Sequence, residues 1–248
     1  MTNQRRDKGF TLVELMVAMA LAAVIIAAST RIAAAIHSAW RHQQNLSALQ
    51  HNARFAFGNL GEQVAAAGFG LTPWSGMPAA IAPGTVNALT ANSDRLVVTR
   101  RSPENCFGNS NPVRDTTGEP EYFLLESSFW INSARNLAMR CRYGVDANSL
   151  VTQLSSFGLV EEAHAMQVLF AEDTTGDLNA DRWVRAGGWT DEKTILAVKI
   201  GLLLGTPETV HATTASPYRV LDESIRKADS GKAYRVFEAT LPIRGRVR

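Results

Sequence analysis

Residues 8–28 read KGFTLVELMVAMALAAVIIAA, and this stretch decides how the rest of the chain is organised. From residue 15 to residue 30 the sequence contains no charge, no proline and no glycine. About twenty helical residues, at ~1.5 Å each, are enough to cross the hydrocarbon core of a bilayer. The basic cluster at residues 5–8 precedes this run and is expected to stay in the cytoplasm. The sequence therefore predicts a single-pass membrane protein whose C-terminal part lies on the side opposite the cytoplasm.

One carboxylate, Glu14, lies near the start of the apolar run and separates three interpretations. An ordinary secretory signal peptide has a similar basic start and apolar centre. The pair Arg5-Arg6 also allows a twin-arginine signal, but Asp7-Lys8 does not fit the usual surroundings of that signal. Because a carboxylate in a membrane span costs roughly 2.5–3.5 kcal/mol on insertion scales, it usually has a partner. This favours the third interpretation, a subunit that assembles through its helix.

Residues 9–14, GFTLVE, resemble the prepilin-peptidase signal of type IV pilins and type II secretion pseudopilins. The resemblance implies that prepilin peptidase removes residues 1–9 as a leader by cutting between Gly9 and Phe10, and that Phe10 is then N-methylated. It also implies that Glu14 pairs with the terminal amine of a neighbouring subunit. The implied partners are major and minor pilins. The resemblance also implies a single-pass inner-membrane protein with a periplasmic C-terminal part, which lies in the pilus after assembly. A positive amine beside a buried carboxylate offsets much of the carboxylate's desolvation cost.

The residues after the span predict a continuation of the same helix. No glycine lies between Gly9 and Gly58, and the first proline is Pro73, so nothing interrupts a long helix. Residues 10–30 form its transmembrane half and residues 31–69 its amphipathic half. Beyond residue 31 the apolar residues keep helical spacing on one stripe. This stripe includes Leu46, Leu49, Ala53, Phe57, Leu60, Val64 and Ala67.

The remaining residues, 70–248, read as a β-rich globular head. Short strand-like runs are separated by turn residues. The runs are 95–101, 122–126, 137–143, 163–170, 194–204 and 234–243. In residues 137–143 one set of side chains alternates with another, which predicts one buried and one exposed face. The first set is Leu137, Met139, Cys141 and Tyr143, and the second is Ala138, Arg140 and Arg142. The fold class is therefore α+β, a long N-terminal helix packed against a mainly antiparallel sheet.

Four stretches resemble the PilW family of minor pilins. They are the helix end at residues 54–69, then residues 166–170 with the following acidic loop, residues 197–204, and residues 234–244. The resemblance implies a minor pilin that helps to initiate type IV pilus assembly, with a place at the pilus tip. A type II secretion minor pseudopilin shares the signal and the architecture. A tip adhesin or DNA-binding minor pilin is the alternative of a different class.

The loop at residues 173–181 carries Asp173, Asp177, Asn179 and Asp181. Oxygen ligands at alternating loop positions suit a hard cation such as calcium. No glutamate follows at the spacing of an EF-hand, and aspartate and glycine also serve ordinary turns. The sequence favours a polar turn over a calcium site, and we expect no other cofactor.

The two cysteines, Cys106 and Cys141, lie 35 residues apart in the exported part of the chain. An oxidising compartment favours a disulfide, and closing this loop stabilises by about 4 kcal/mol in the chain-entropy model. Two buried free thiols are the alternative.

Charge and motif content narrow the function classes. Residues 1–9 hold three of the 25 basic and one of the 23 acidic residues, so the mature chain is neutral. A neutral chain argues against nucleic acid as a partner. No nucleophile elbow, zinc-binding helix or phosphate-binding loop is present in the sequence. We therefore expect a structural subunit without enzymatic activity.

Overall fold

The structure is a computed structural model that describes residues 11–71, 79–87, 93–209, 217–226 and 231–245. It divides into two compact units, residues 1–46 and residues 47–248. One helix, α1, runs from Leu12 to Ala66 and supplies all the regular structure described in the first unit and the beginning of the second. Within the residues described, α1 is the one helix long and apolar enough to cross a membrane.

The second unit contains two antiparallel four-stranded sheets and a short hairpin. The first sheet has the order β1-β2-β3-β4. Its strands are β1 (Leu96–Ser102), β2 (Phe123–Ile131), β3 (Leu137–Gly144) and β4 (Val151–Val160). The second sheet has the order β10-β7-β5-β6. Its strands are β5 (Ala163–Glu172), β6 (Arg182–Val184), β7 (Ile195–Gly205) and β10 (Tyr234–Pro242), and the hairpin is β8 (Pro217–Val220) with β9 (Glu223–Arg226).

The core of the head forms where the apolar stripe of α1 meets the two sheets. Buried helix residues recur every three or four positions, which keeps them on one face. They are Leu49, Ala53, Ala56, Leu60, Val64 and Ala67. Phe129 from the first sheet and Phe170 from the second join the same cluster. The stripe predicted for the amphipathic part of the helix therefore positions the head.

Two glycines allow close approaches that organise the head. A Cβ at Gly201 on β7 would lie 2.8 Å from Val220, so glycine lets the β8–β9 hairpin pack directly on that strand. A Cβ at Gly245 would lie 2.5 Å from the carbonyl of Ala67. The neighbouring Arg244 N–H donates to the carbonyl of Ala65 at 3.0 Å, so the C-terminal segment is held against the end of α1.

The predicted fold class is confirmed, with corrections in detail. All six predicted strand runs fall on observed strands. The run at 122–126 continues to Ile131, because Ser127 and Ser128 are buried in the sheet and do not end the strand. Strands β4, β6, β8 and β9 were not predicted. The expected clean alternation in β3 is wrong, since Leu137 and Ala138 are both buried.

Candidate functional site

The first candidate site is the start of α1, where the sequence predicts processing and assembly. Gly9 and Phe10 lie outside the described residues, so cleavage between them and methylation of Phe10 remain predictions. Thr11 directly precedes the helix, which begins at Leu12. Glu14 is thus the third residue of the helix, in its first turn.

Thr11 and Glu14 form a reciprocal cap at this helix start. The Thr11 N–H and hydroxyl donate to Glu14 Oε2 at 3.0 and 2.9 Å, and the Glu14 N–H donates to Thr11 Oγ1 at 3.3 Å. This is a capping box, in which two helix-terminal N–H groups that lack intrahelical partners are satisfied by side chains. Within the isolated chain, Glu14 therefore stabilises its own helix start.

Our sequence interpretation missed this cap, although its signal is present. Thr-x-x-Glu before an apolar run is the capping-box pattern, and residues 11–14 read TLVE. The pairing of Glu14 with another subunit's amine is not tested by a single chain. The hydrogen bonds from Thr11 use Oε2 of Glu14. Helix capping and the predicted pairing with a neighbour's amine therefore involve the same carboxylate.

The apolar side chains that follow Glu14 are exposed in the described part of the first unit. Leu12 is 75% exposed, Ile25 64% and Ile36 63%. Such a surface is stable only in an apolar environment, such as lipid or the packed helices of other subunits. The candidate site is therefore an apolar helix surface that is stable only when a membrane or a partner protein covers it.

The cysteine pair is bridged in the head. Cys106, in the segment between β1 and β2, is joined to Cys141 on β3. The Cys106 N–H also donates to the side-chain oxygen of Gln153 on β4 at 3.0 Å. The bridge fastens an otherwise irregular segment to the first sheet, and the free-thiol alternative is not the one observed.

The acidic loop is organised by two carboxylates that accept hydrogen bonds from the loop itself. The Asp173 carboxylate accepts from the N–H groups of Thr175, Gly176 and Leu178 at 3.1, 2.6 and 2.9 Å. Burial raises the pKa of Asp173, but these hydrogen bonds outweigh it and hold the pKa below its ordinary value. The carboxylate is thus ionised and fully engaged at neutral pH.

The other predicted calcium ligands are used in a similar way. Asp181 Oδ2 accepts from the N–H and hydroxyl of Thr174, both at 2.7 Å, and Asp177 Oδ1 accepts from the Asn179 N–H at 2.9 Å. In the described residues no group of three or more His, Cys, Asp or Glu side chains is arranged to hold a metal ion. These contacts support the polar turn, and calcium binding stays a prediction to be tested.

An ion pair beside the loop, between buried Glu172 and exposed Arg182, was not singled out from the sequence. Glu172 is 0% exposed, and its Oε2 accepts from the Arg182 Nε at 2.9 Å. Desolvation raises the pKa of Glu172, but the Thr190 N–H and the Arg182 guanidinium outweigh it and lower the pKa. The pair joins the ends of β5 and β6, so its role is structural. Only its tertiary position distinguishes Glu172 from any surface glutamate.

Comparisons with known proteins agree with the N-terminal signal and with the fold of the head. The family model described as the prokaryotic N-terminal methylation motif matches residues 4–30. The family model described as Type IV Pilus-assembly protein W, PilW, matches residues 132–245, which cover β3 to β10. Among solved structures, a type IV-like pilin from Thermus thermophilus is similar, with a TM-score of 0.52 and 14% identity. The similarity covers 81% of this chain and 97% of that one. No curated protein matches the chain.

The long helix, the sheets packed on it and the methylation motif define a type IV pilin-like protein. Fold and family are those of structural pilins. Within that class, the match over residues 132–245, together with the methylation motif, supports a PilW-family type IV pilin.

Proposed function

We propose that this chain is a minor pilin that helps to initiate assembly of a type IV pilus and occupies the pilus tip. Its parts are a leader at residues 1–9, a transmembrane segment at 10–30, an amphipathic segment at 31–69 and a periplasmic head at 70–248. Prepilin peptidase cuts between Gly9 and Phe10, and the mature chain joins other pilins through its helix.

One observation carries this proposal most strongly, the exposed apolar surface of α1 with a single carboxylate in its first turn. From Leu12 to Ile36 the large apolar side chains are exposed. The carboxylate of Glu14 is already hydrogen-bonded to Thr11, so membrane insertion does not leave it without any partner. In an assembly, a neighbour's terminal amine then adds a counter-charge that water and lipid cannot supply.

The capping box lets the charge of Glu14 be tested separately from its helix cap. Glu14→Gln keeps an oxygen that can accept from Thr11 but removes the charge, whereas Glu14→Ala removes both. Thr11→Val removes the capping hydroxyl and keeps the charge. If assembly depends on the charge, both Glu14 variants are processed and retained in membranes but are lost from sheared pili. Thr11→Val should be incorporated nearly as well as the wild type.

Cleavage is the prior step and has its own test. Mass spectrometry of the mature protein should find an N-methylated Phe10 at the terminus, and Gly9→Leu should accumulate uncut. A terminus near Ala28 would instead identify an ordinary secretory signal. Normal incorporation of Glu14→Gln into pili would show that assembly does not need the charge of Glu14.

The type II secretion alternative is separated by the phenotype of a deletion strain. Loss of surface pili with normal enzyme secretion supports the proposed function, and the reverse supports a pseudopilin. Labelling of the head on intact pili tests the tip position. Label along the whole fibre would contradict it.

A further inference from the structure

The four outer edges of the two sheets are protected to very different degrees. Unpaired strand edges invite pairing with another chain, and proteins usually cover, shorten or charge them. At β1 the segment of residues 79–87 covers the edge. Thr99 N–H donates to the carbonyl of Ala80 at 3.0 Å, and the Ala82 N–H donates to the carbonyl of Val97 at 2.9 Å.

The edges of the second sheet are blunted in two other ways. At the β5 side, β6 is three residues long, and Ser93 and Asp94 occupy part of the remaining edge. The Asp94 Oδ2 accepts from the Val168 N–H at 2.8 Å, and the Asp94 N–H donates to the Met166 carbonyl at 2.7 Å.

At the opposite side of this sheet, β10 carries charges and a proline. These are Arg235, Glu238 and Pro242, the residue types that discourage edge-to-edge pairing. Glu238 is also close to Lys199 on the neighbouring strand, at 3.9 Å. Three of the four edges therefore show a protective device.

Strand β4 has no covering segment, charge or proline within the described residues, and its irregular pairing with β3 is the one protective device that it shows there. It is ten residues long, from Val151 to Val160, and contains no charged residue and no proline. Within the described residues it pairs with β3 alone, and none of the backbone hydrogen bonds outside the sheets involves it. Two of its large apolar side chains are exposed, Val151 at 61% and Phe157 at 55%. The Cys106 contact reaches a side chain, Gln153, and leaves the strand backbone free.

Charges at the two ends of β4 indicate what kind of strand can pair there. Asp146 precedes the strand and Glu161 follows it, and both are exposed. Hydrogen bonds from Ser149 and Asn148 hold the pKa of Asp146 below its ordinary value, so it is charged at neutral pH. Two copies paired antiparallel along β4 would place the Glu161 end of one against the Asp146 end of the other. Like charges at both ends disfavour a second copy and favour a partner with basic residues beside its strand.

Irregular pairing with β3 limits how long an added strand can be. The register shifts at three places along β4, and bulges bend a strand and increase its twist. Phe157 and Gly158 lie in a regular stretch, opposite Met139 and Ala138. Residues 155–158 are exposed in succession, so the longest exposed run of the strand includes this regular stretch.

We infer that the free edge of β4 near Phe157 accepts a short, uncharged, extended segment of another pilin-like subunit, flanked by basic residues. This inference rests on the proposed function, because helix assembly brings a neighbouring head to high effective concentration. Backbone hydrogen bonds give such strand addition its affinity, and side chains on alternate positions give it specificity. The exposed face of Phe157 is then covered by the partner.

Site-specific photo-cross-linking in cells tests the inference on the full chain. Ser156→p-benzoylphenylalanine places the probe on β4, and Ser133→p-benzoylphenylalanine places the same probe in the exposed turn between β2 and β3. Cross-links are mapped by mass spectrometry in membranes and in sheared pili. We expect a cross-link from position 156, absent from position 133, to an uncharged segment between basic residues of another pilin-like subunit.

A matched pair of charge variants supplies the second arm. Ser156→Lys should lose pairing and enter pili poorly with an unchanged melting temperature, while Ser133→Lys behaves as the wild type. The inference is overturned by a cross-link to a second copy of this chain or to a protein outside the fibre. Absence of any cross-link in pili that contain the processed chain overturns it too. If the unmodified chain never enters pili, the proposed function has failed and the inference fails with it.

Discussion

The two ends of helix α1 differ both in apolar content and in surroundings. In the first unit Leu12 and Ile25 are 75% and 64% exposed, whereas in the second Leu49 and Leu60 are 1% and 0% exposed. The first part is apolar on all sides. The second part is apolar along one stripe and carries polar residues such as Arg54 and Glu62 on the opposite face. A helix that is apolar on all sides needs an apolar environment from outside its own chain, such as lipid or other subunits. A helix with one apolar stripe can bury that stripe against the sheets of its own head.

The largest contrast between the two parts is expected from truncating one apolar side chain in each. Leu60→Ala leaves a cavity in the core and should lower the free energy of unfolding of the head by about 2–5 kcal/mol. Ile25→Ala removes an exposed side chain and should leave that free energy unchanged. Urea unfolding of the full chain in detergent, followed by tryptophan fluorescence, measures both. Similar losses of unfolding free energy in the two variants would show that the two parts of α1 do not differ in their contribution to the stability of the head.

Removing the disulfide should destabilise the second unit alone. The double variant Cys106→Ser, Cys141→Ser frees a 35-residue loop, with an expected loss of about 2–4 kcal/mol. The same unfolding experiment checks it, with reduced wild-type protein as the control. A variant as stable as the oxidised wild type would show that the segment between β1 and β2 is held by other contacts.

The ion pair between buried Glu172 and exposed Arg182 gives a smaller, pH-dependent effect. Arg182→Met leaves Glu172 buried without its cation and should cost about 1–3 kcal/mol at neutral pH. Because the pKa of Glu172 is lowered by folding, the stability it supplies is present above its unfolded pKa and is lost as pH falls through its folded pKa. The difference between variant and wild type should therefore shrink in acid.

Arg185→Met is the matched control for the ion pair. Arg185 pairs with Asp222 and Glu223, which are substantially exposed, so its loss should cost less than Arg182→Met. Equal losses at neutral pH, or a difference that persists after acidification, would argue against a special role for the buried Glu172.

The smallest expected effect is that of calcium on the acidic loop. Asp173 and Asp181 already accept hydrogen bonds from the loop backbone, so we expect no binding heat and no rise in melting temperature at millimolar calcium. Calorimetry on the full chain measures the first and thermal unfolding the second. Saturable heat that disappears in Asp177→Asn would establish a calcium site instead.

Sequence patterns located strands where local chemistry is regular and missed them where it is not. Strand β4 reads VTQLSSFGLV, and its serines and bulges hide the two-residue period. The β8–β9 hairpin turns at Leu221, which has φ of 54° and lacks the Asn-Gly signal of such turns. The three-residue β6 is too short to leave a pattern.

By itself, the sequence determined the long helix, its part that is apolar enough to span a membrane, the methylation motif and the β-rich class of the head. These follow from composition and periodicity along a local stretch, and GFTLVE is contiguous. Only the tertiary structure decided which strands share a sheet, that Cys106 meets Cys141, that buried Glu172 pairs with exposed Arg182, and that one edge of β4 pairs with no strand among the described residues. Each of these depends on residues far apart in the chain, whose meeting is fixed by packing around the helix stripe and not by any local preference.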